Sequence, residues 1–238
     1  MSSIRYIISA PSGSGKTTLV NELRQYVRNL EFSISYTTRS PRGSEQDGRE
    51  YHFISREEFE AMIARDAFLE YAQVFGKYYG TARSVLQHAE ELGNDLLLDI
   101  DVQGERQVKQ KMPDAVSIFV LPPSRTELES RLRKRSLSEN VHAEDVIRRR
   151  LDEARREIEN YPNYDYLLVN DRLEQSVDQL QAIVLGERIR RSGKPPSPEE
   201  KKYLATAEKC LKVNMEGKIR DILRTFDVAS PAAAEAKR

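Results

Sequence analysis

The 238-residue chain has one cysteine, no tryptophan and three histidines, and its 38 basic and 38 acidic side chains cancel. Each shortage excludes something. A lone Cys210 cannot build an intramolecular disulfide framework or a multi-cysteine zinc site, and it fits a reducing compartment. His52, His88 and His142 share no ligand spacing with one another or with Cys210, so no histidine metal centre is expected. Balanced charge gives no bulk field toward nucleic acid or a membrane surface. No apolar run approaches the roughly 18 residues of a membrane span. The opening MSSIRYIIS lacks the long apolar region and cleavage site of a secretory signal. A G-x-S-x-G elbow, a kinase H-R-D set and internal repeats are also missing. What remains is the expectation of a cytoplasmic globular protein, with 39% apolar residues to build its core.

Residues 4–9 (IRYIIS) predict a short buried strand that runs straight into Ala10-Pro11-Ser12-Gly13-Ser14-Gly15-Lys16-Thr17-Thr18. Leu19, Val20, Leu23 and Val27 then recur at helical spacing, so a helix begins inside or just after the glycine segment. Short continuous apolar runs at 96–100, 117–121 and 166–169 predict strands buried on both faces of a parallel sheet. Helix-like segments lie near 104–111, 125–135, 144–160 and 173–191. This alternation predicts an α/β doubly wound core, a parallel sheet with helices on both faces, and the glycine turn between its first strand and helix makes it one of the P-loop type. Residues 1–33 and 92–190 form the expected core, with a polar lid at about 136–147 between two arginine-rich helices. Residues 34–91 read as a small α+β insertion, with strand-like pieces at Phe32–Tyr36, Tyr51–Ile54 and Leu69–Phe75.

From 191 to 238 the chain reads as a linker and a helical tail, its last residues disordered. Ser197 with Glu200, and Pro198 between them, make a capping-box start. Ile219, Ile222, Leu223 and Phe226 mark one apolar face of a second tail helix. The tail carries a modest basic excess, so docking on the body or on a second copy, as a homo-oligomer, is an open expectation.

The glycine segment carries the strongest chemistry. A G-x-x-x-x-G-K-[ST] loop between strand and helix binds nucleotide phosphate through backbone N–H groups and the helix N-terminus. Here Gly15-Lys16-Thr17 match, and Ala10 stands in place of the first glycine. Gly13 and Gly15 still permit close approach of the backbone to phosphate. Lys16 can reach the β- and γ-phosphates, and Thr17 can hold Mg²⁺. Asp99 and Asp101 close the run at 96–100, two apart and so on one strand face. They read either as acids that orient a metal or as solvated turn acids. In the insertion, Arg39 and Arg42 flank a proline turn near several tyrosines. Guanidinium forks bind phosphate in pairs of bonds, and tyrosine hydroxyls can complete the shell. Arg131, Arg133, Lys134 and Arg135, then Arg148, Arg149 and Arg150, flank the polar lid; composition alone does not choose among them.

Taken in order, residues 10–17 (APSGSGKT), 35–42 (SYTTRSPR), 76–81 (GKYYGT), 98–104 (LDIDVQG) and 169–171 (VND) resemble the guanylate kinase family. The likeness runs from about residue 4 to 190. It implies an enzyme that transfers the γ-phosphoryl group of ATP to GMP or dGMP, giving ADP and GDP or dGDP, with Mg²⁺ as cofactor. It implies that Ser12, Gly13, Ser14, Gly15, Lys16, Thr17 and Thr18 hold the ATP phosphates. Arg39, Arg42, Tyr51 and Tyr79 would bind the GMP phosphate, while Ser35, Glu70, Thr81 and Asp101 read guanine. Thr17 and, through water, Asp99 would serve the metal. Lys16, Arg131, Arg135 and Arg150 would act catalytically on the phosphates, with Asn170 near the ATP base. Two features depart from the family pattern: Ser136 replaces a glycine, and the interval from Arg135 to Arg150 is a few residues longer.

The base chemistry agrees with this independently. Guanine offers N1–H and N2–H₂ donors to carboxylates, and its O6 accepts from hydroxyls. Adenine would leave Glu70 unpaired. A non-catalytic scaffold of the same fold would be expected to lose phosphate-binding residues, whereas Lys16, Thr17, Asp99, Arg39 and Arg42 are all present.

Overall fold

The computed structural model describes residues 3–74, 76–138 and 144–229, except for the side chains of 137 and 138. The middle of the expected lid, including His142, and the last nine residues of the tail therefore lie outside the described residues. The chain divides into two compact units, Met1–Ser9 with Asn29–Ser117, and Ala10–Arg28 with Ile118–Arg238.

The first unit contains parallel strands β1 (Arg5–Ser9), β2 (Leu30–Phe32) and β7 (Asp95–Asp99), in the order β2-β7-β1. Leu96, Leu97 and Leu98 of β7 are fully buried, as an apolar run in a doubly covered parallel strand requires. The same unit has a second sheet of β3 (Tyr36–Thr37), β4 (His52–Phe53), β5 (Phe68–Val74) and β6 (Lys77–Ala82), ordered β4-β3-β6-β5. Helix α2 (Arg56–Ala64) opens with a capping box between Ser55 and Glu58. Its Phe59 stacks on Phe68 at 4.3 Å and on Tyr78 at 5.0 Å, making a small core with Met62 and Ala82. Helices α3 (Arg83–Glu91) and α4 (Val102–Lys111) complete this unit, and Ala89, Val108, Ile7, Leu69 and Leu98 share a second core.

The second unit contains α1 (Lys16–Tyr26), most of β8 (Val116–Leu121), and β9 (Tyr166–Val169), which pairs parallel to β8. Around them stand α5 (Arg125–Ser138), α6 (Glu144–Ile158) and α7 (Leu173–Ser192), then α8 (Pro198–Lys209) and α9 (Lys212–Thr225) from the tail. The capping box at Ser197 and Glu200, with Pro198 at the first helical position, is present as read from the sequence.

The fold is α/β with parallel strands, as expected. Some boundaries differ. The piece expected at Phe32–Tyr36 splits in two, because Ser33 N–H to Leu97 O is the last bond to β7 before the chain leaves for β3. Strand β6 was not expected; it is recruited by pairing with β5 across a turn at Gly76, whose φ is 75°. Phe226 is buried but lies just past α9, and Ile222 is only half-buried. Among the described residues no helix is long and apolar enough to cross a membrane.

Candidate active site

In the second unit, the glycine loop leads directly into α1. Gly15 is the N-cap of that helix, with φ 87°, and Gly13 has φ 91°, both in the region open chiefly to glycine. Gly15 makes no side-chain cap hydrogen bond to α1, and the amides of a helix's first turn are groups suited to binding an anion. Ser14 N–H donates to Pro11 O at 3.0 Å, closing the turn. Gly13 lies against α5, where an added Cβ would meet Leu132 at 3.0 Å and Leu128 at 3.1 Å.

Asn170 follows β9 and is almost fully buried. Its Nδ2 donates to Ser14 O at 2.8 Å, and a Cβ on Gly15 would collide with that same nitrogen. Arg131 of α5 donates from Nη2 to Asn170 O at 3.1 Å and from Nε to Glu127 at 2.9 Å. Asn170 therefore ties the phosphate loop to an arginine-bearing helix. Arg135 is exposed in the last turn of α5, Arg150 is half-buried on α6, and Ser136 is buried.

In the first unit, four residues expected to read a purine converge. Glu70 of β5 and Thr81 of β6 are direct cross-strand partners, placed there by an irregularity between Phe68 and Glu70. Thr81 hydrogen-bonds Glu70, and Ser35 Oγ lies 3.3 Å from Thr81 Oγ1. Asp101 is the N-cap of α4, its Oδ1 accepting from Gln103 N at 3.0 Å and Gly104 N at 2.8 Å. Glu70 Oε2 sits 2.5 Å from where a Cβ on Gly104 would stand, so the carboxyl rests on the first turn of α4. Burial, with the charge of Asp101 adding to it, pushes the Glu70 carboxyl up to about 7 against the opposing Thr81 bonds and Lys111 charge. A buried carboxyl poised near neutrality, with two hydroxyls beside it, matches a donor-rich heterocycle edge.

The phosphate-binding set lies in the same unit. Arg39 is buried, and its fork makes two bonds to Glu45, at 2.6 and 2.8 Å, besides one to Ser40 O. Its guanidinium lies over the ring of Tyr51 at 4.9 Å, and Tyr51 meets Tyr79 edge-on at 5.9 Å. Glu45 also accepts from Arg42 N at 2.8 Å. Burial works against ionised Glu45, but Arg39 and the Arg42 amide hold it below the usual carboxylate range. The side chain of Arg42 is exposed. Asp99, at the end of β7, is half-buried, and its backbone N–H donates to Ser33 Oγ at 3.3 Å.

Sequence reasoning missed Glu45, whose only signal was an acid three residues after Arg42. It also missed Gln107 and Lys111 of α4. Gln107 pairs with both the N–H and the carbonyl of Tyr71, and Lys111 donates to Leu69 O, so α4 holds the backbone on either side of Glu70. Among the described residues no group of three or more His, Cys, Asp or Glu could hold a metal.

A phosphate loop at a helix start, a buried carboxyl with hydroxyl partners and an arginine–tyrosine cluster define a P-loop nucleotide phosphotransferase. Comparison with known proteins narrows that class. The guanylate kinase family model matches residues 2–187. The guanylate kinase of Koribacter versatilis is 59% identical over 230 residues, covering 97% of this chain and 98% of its own. That of Escherichia coli strain K12 is 47% identical over 189 residues, 79% of this chain and 89% of its own. A crystal structure of guanylate kinase from Anaplasma phagocytophilum superposes with a TM-score of 0.61 at 32% identity, covering 78% of this chain and 86% of that one. The chain belongs to the guanylate kinase family, an ATP-dependent phosphotransferase that acts on GMP.

Proposed function

We propose that this kinase reads the acceptor base with Glu70, Asp101, Ser35 and Thr81. The acceptor's phosphate falls to Arg39, Arg42, Tyr51 and Tyr79. The observation that carries the reading is the Glu70–Thr81–Ser35 cluster resting on the N-terminus of α4. An ionised Glu70 accepts from guanine N1–H and N2–H₂, while the hydroxyls donate to O6. A site built on such pairs rejects a mismatched base by roughly 10⁴–10⁵. Nothing in this set depends on the sugar 2′-hydroxyl, so dGMP is an acceptor as well.

ATP phosphates are assigned to Ser12–Thr18, whose backbone amides and Lys16 cradle them. Arg131, Arg135 and Arg150 are assigned to charge that spreads over the transferred group. GMP phosphate is already ionised at neutral pH, so the residues need to orient it and offset repulsion, not remove a proton. Asn170 holds the loop carbonyl of Ser14 and thereby aims the neighbouring amides.

Mg²⁺ fits the oxygens present. In the second unit the exposed Thr17 hydroxyl at the start of α1, and in the first the Asp99 carboxylate acting through water, are each a hard donor of the kind Mg²⁺ accepts when it arrives with phosphate. Bound with ATP, it would neutralise charge on the β- and γ-oxygens.

The test is a coupled assay of purified protein with ATP and Mg²⁺ against GMP, dGMP, AMP, UMP and CMP. GMP and dGMP are expected to turn over, with kcat/KM for the others lower by at least three orders of magnitude. Comparable turnover of AMP would contradict the base assignment.

A further inference from the structure

The family match ends at residue 187, yet the chain continues through two more helices that grip the arginine-bearing pair α5 and α6. The extension first lies along α7, where Gly186 admits Ala207 so closely that a Cβ would stand 3.1 Å away. It then joins the chain around β9. Leu211 makes an antiparallel bridge with Tyr166, Leu167 N–H donates to Cys210 O at 2.8 Å, and Lys212 N–H donates to Asp165 O at 3.0 Å. Helix α9 buries Met215, Ile219 and Leu223, and Phe226 and Val228 follow them inward.

The end of α9 makes the decisive contacts. Asp227 has φ 55°, and Val228 N–H returns to Leu223 O at 3.0 Å, a tight stop that turns the chain. Just before that stop, Thr225 Oγ1 accepts from Arg125 N–H at 3.0 Å, satisfying one of the first amides of α5. Just after it begins, Asp227 O accepts from Arg155 Nη2 at 3.3 Å, in the last turn of α6. One turn thus holds α5 at its first residue and α6 near its last.

We propose that the C-terminal extension is a clamp on the base of the α5–α6 pair, with Thr225 as a positioning residue for Arg131 and Arg135. The inference rests on the assignment of those arginines to the transferred phosphate. Arg135 lies ten residues beyond Arg125, about 15 Å along the helix axis. A tilt of about 5° at the anchored end moves its Cα by more than 1 Å, and a shift of about 1 Å in a positioned group can change rate by up to about 100-fold. The clamp acts on rate through direction, not through contact with substrate.

The experiment compares full-length wild type with Thr225→Val, which keeps the volume and loses the acceptor, and Thr225→Ser, which keeps the acceptor. Thr225→Val is expected to lower kcat roughly tenfold, leave the GMP KM within twofold, and speed amide exchange at Arg125. Thr225→Ser is expected to restore all three readings. Wild-type kcat in Thr225→Val overturns the proposal, as does a loss that serine does not rescue. Arg135→Ala and Arg131→Ala serve as the control for the underlying assignment. If both keep wild-type kcat, that assignment falls and the clamp loses its catalytic role; if they collapse turnover while Thr225→Val does not, the clamp alone is wrong.

Discussion

Asn170 shows how much one buried side chain can decide. The side-chain amide donates to Ser14 O and its bulk requires that Gly15 have no side chain, while the main-chain carbonyl of the same residue accepts from Arg131. Loss of one such buried hydrogen bond is worth about 1–1.5 kcal/mol. Asn170→Ala is therefore expected to raise the ATP KM about tenfold while the GMP KM stays nearly constant, as steady-state kinetics would show. Arg39 makes a different demand, since its two bonds to Glu45 use the planar fork that lysine lacks. Arg39→Lys should raise the GMP KM by about two orders of magnitude and leave ATP binding intact, read by competition titration. Glu70 carries an energetic penalty. Its carboxyl sits near 7 when folded, against an ordinary 4.5, so its favourable contribution is complete below about 4.5 and is lost as pH rises through 7. At pH 8 the ionised, buried group costs on the order of 3 kcal/mol. Glu70→Gln should accordingly raise the melting temperature at pH 8 and change it little at pH 5, which calorimetry at the two values would test.

At the level of elements, β5 lies at one end of the order β4-β3-β6-β5, and α4 supplies what a missing neighbour strand would. Gln107 satisfies the main chain of Tyr71, and Lys111 that of Leu69, so Glu70 is fixed between two anchored residues. Gly104 is where two effects compete. Alanine is better than glycine in a helix by about 1 kcal/mol, but its Cβ would stand 2.5 Å from Glu70 Oε2. Displacement of the carboxyl wins, because the same Cβ would also stand 3.0 Å from Glu70 Cδ and 3.2 Å from Ile100 Cβ, so the whole carboxyl must move aside. Gly104→Ala is expected to raise the GMP KM at least tenfold with no loss of melting temperature. The strands of the parallel sheet and the phosphate loop were legible because continuous apolar runs and a glycine turn are local signals. Strand β6 was not, since residues 77–82 become a strand only by pairing with β5. Glu45 and Asn170 show the same limit. The partner of Asn170, Ser14, is 156 residues away in sequence, and no spacing rule reaches that far.

Taken as a molecule, the chain extends the family segment with a tail whose helices were foreshadowed by a capping box and an apolar face. That the tail would pack on its own chain was one of two expectations; its bonds to Arg125 of α5 and Arg155 of α6 had no signal, because a lone hydroxyl and a main-chain carbonyl leave no pattern in sequence. Cys210 offers an independent measure of that docking. It is buried, and burial pushes its thiol up to about 11, so alkylation of the native enzyme at pH 8 should be slow and should quicken only when the tail is released. Fast labelling of the folded protein would contradict the docked arrangement. The most direct measurement on the whole account is the GMP KM as a function of pH for wild type and Glu70→Gln side by side. Ionisation of the phosphate on GMP itself is common to both, so only the difference counts. Wild type should bind GMP more tightly as pH rises from 6 to 8, over and above a shallower trend in the variant, whose KM stays high throughout. Parallel curves would show that guanine is not read by the buried carboxyl, and the assignment would fall.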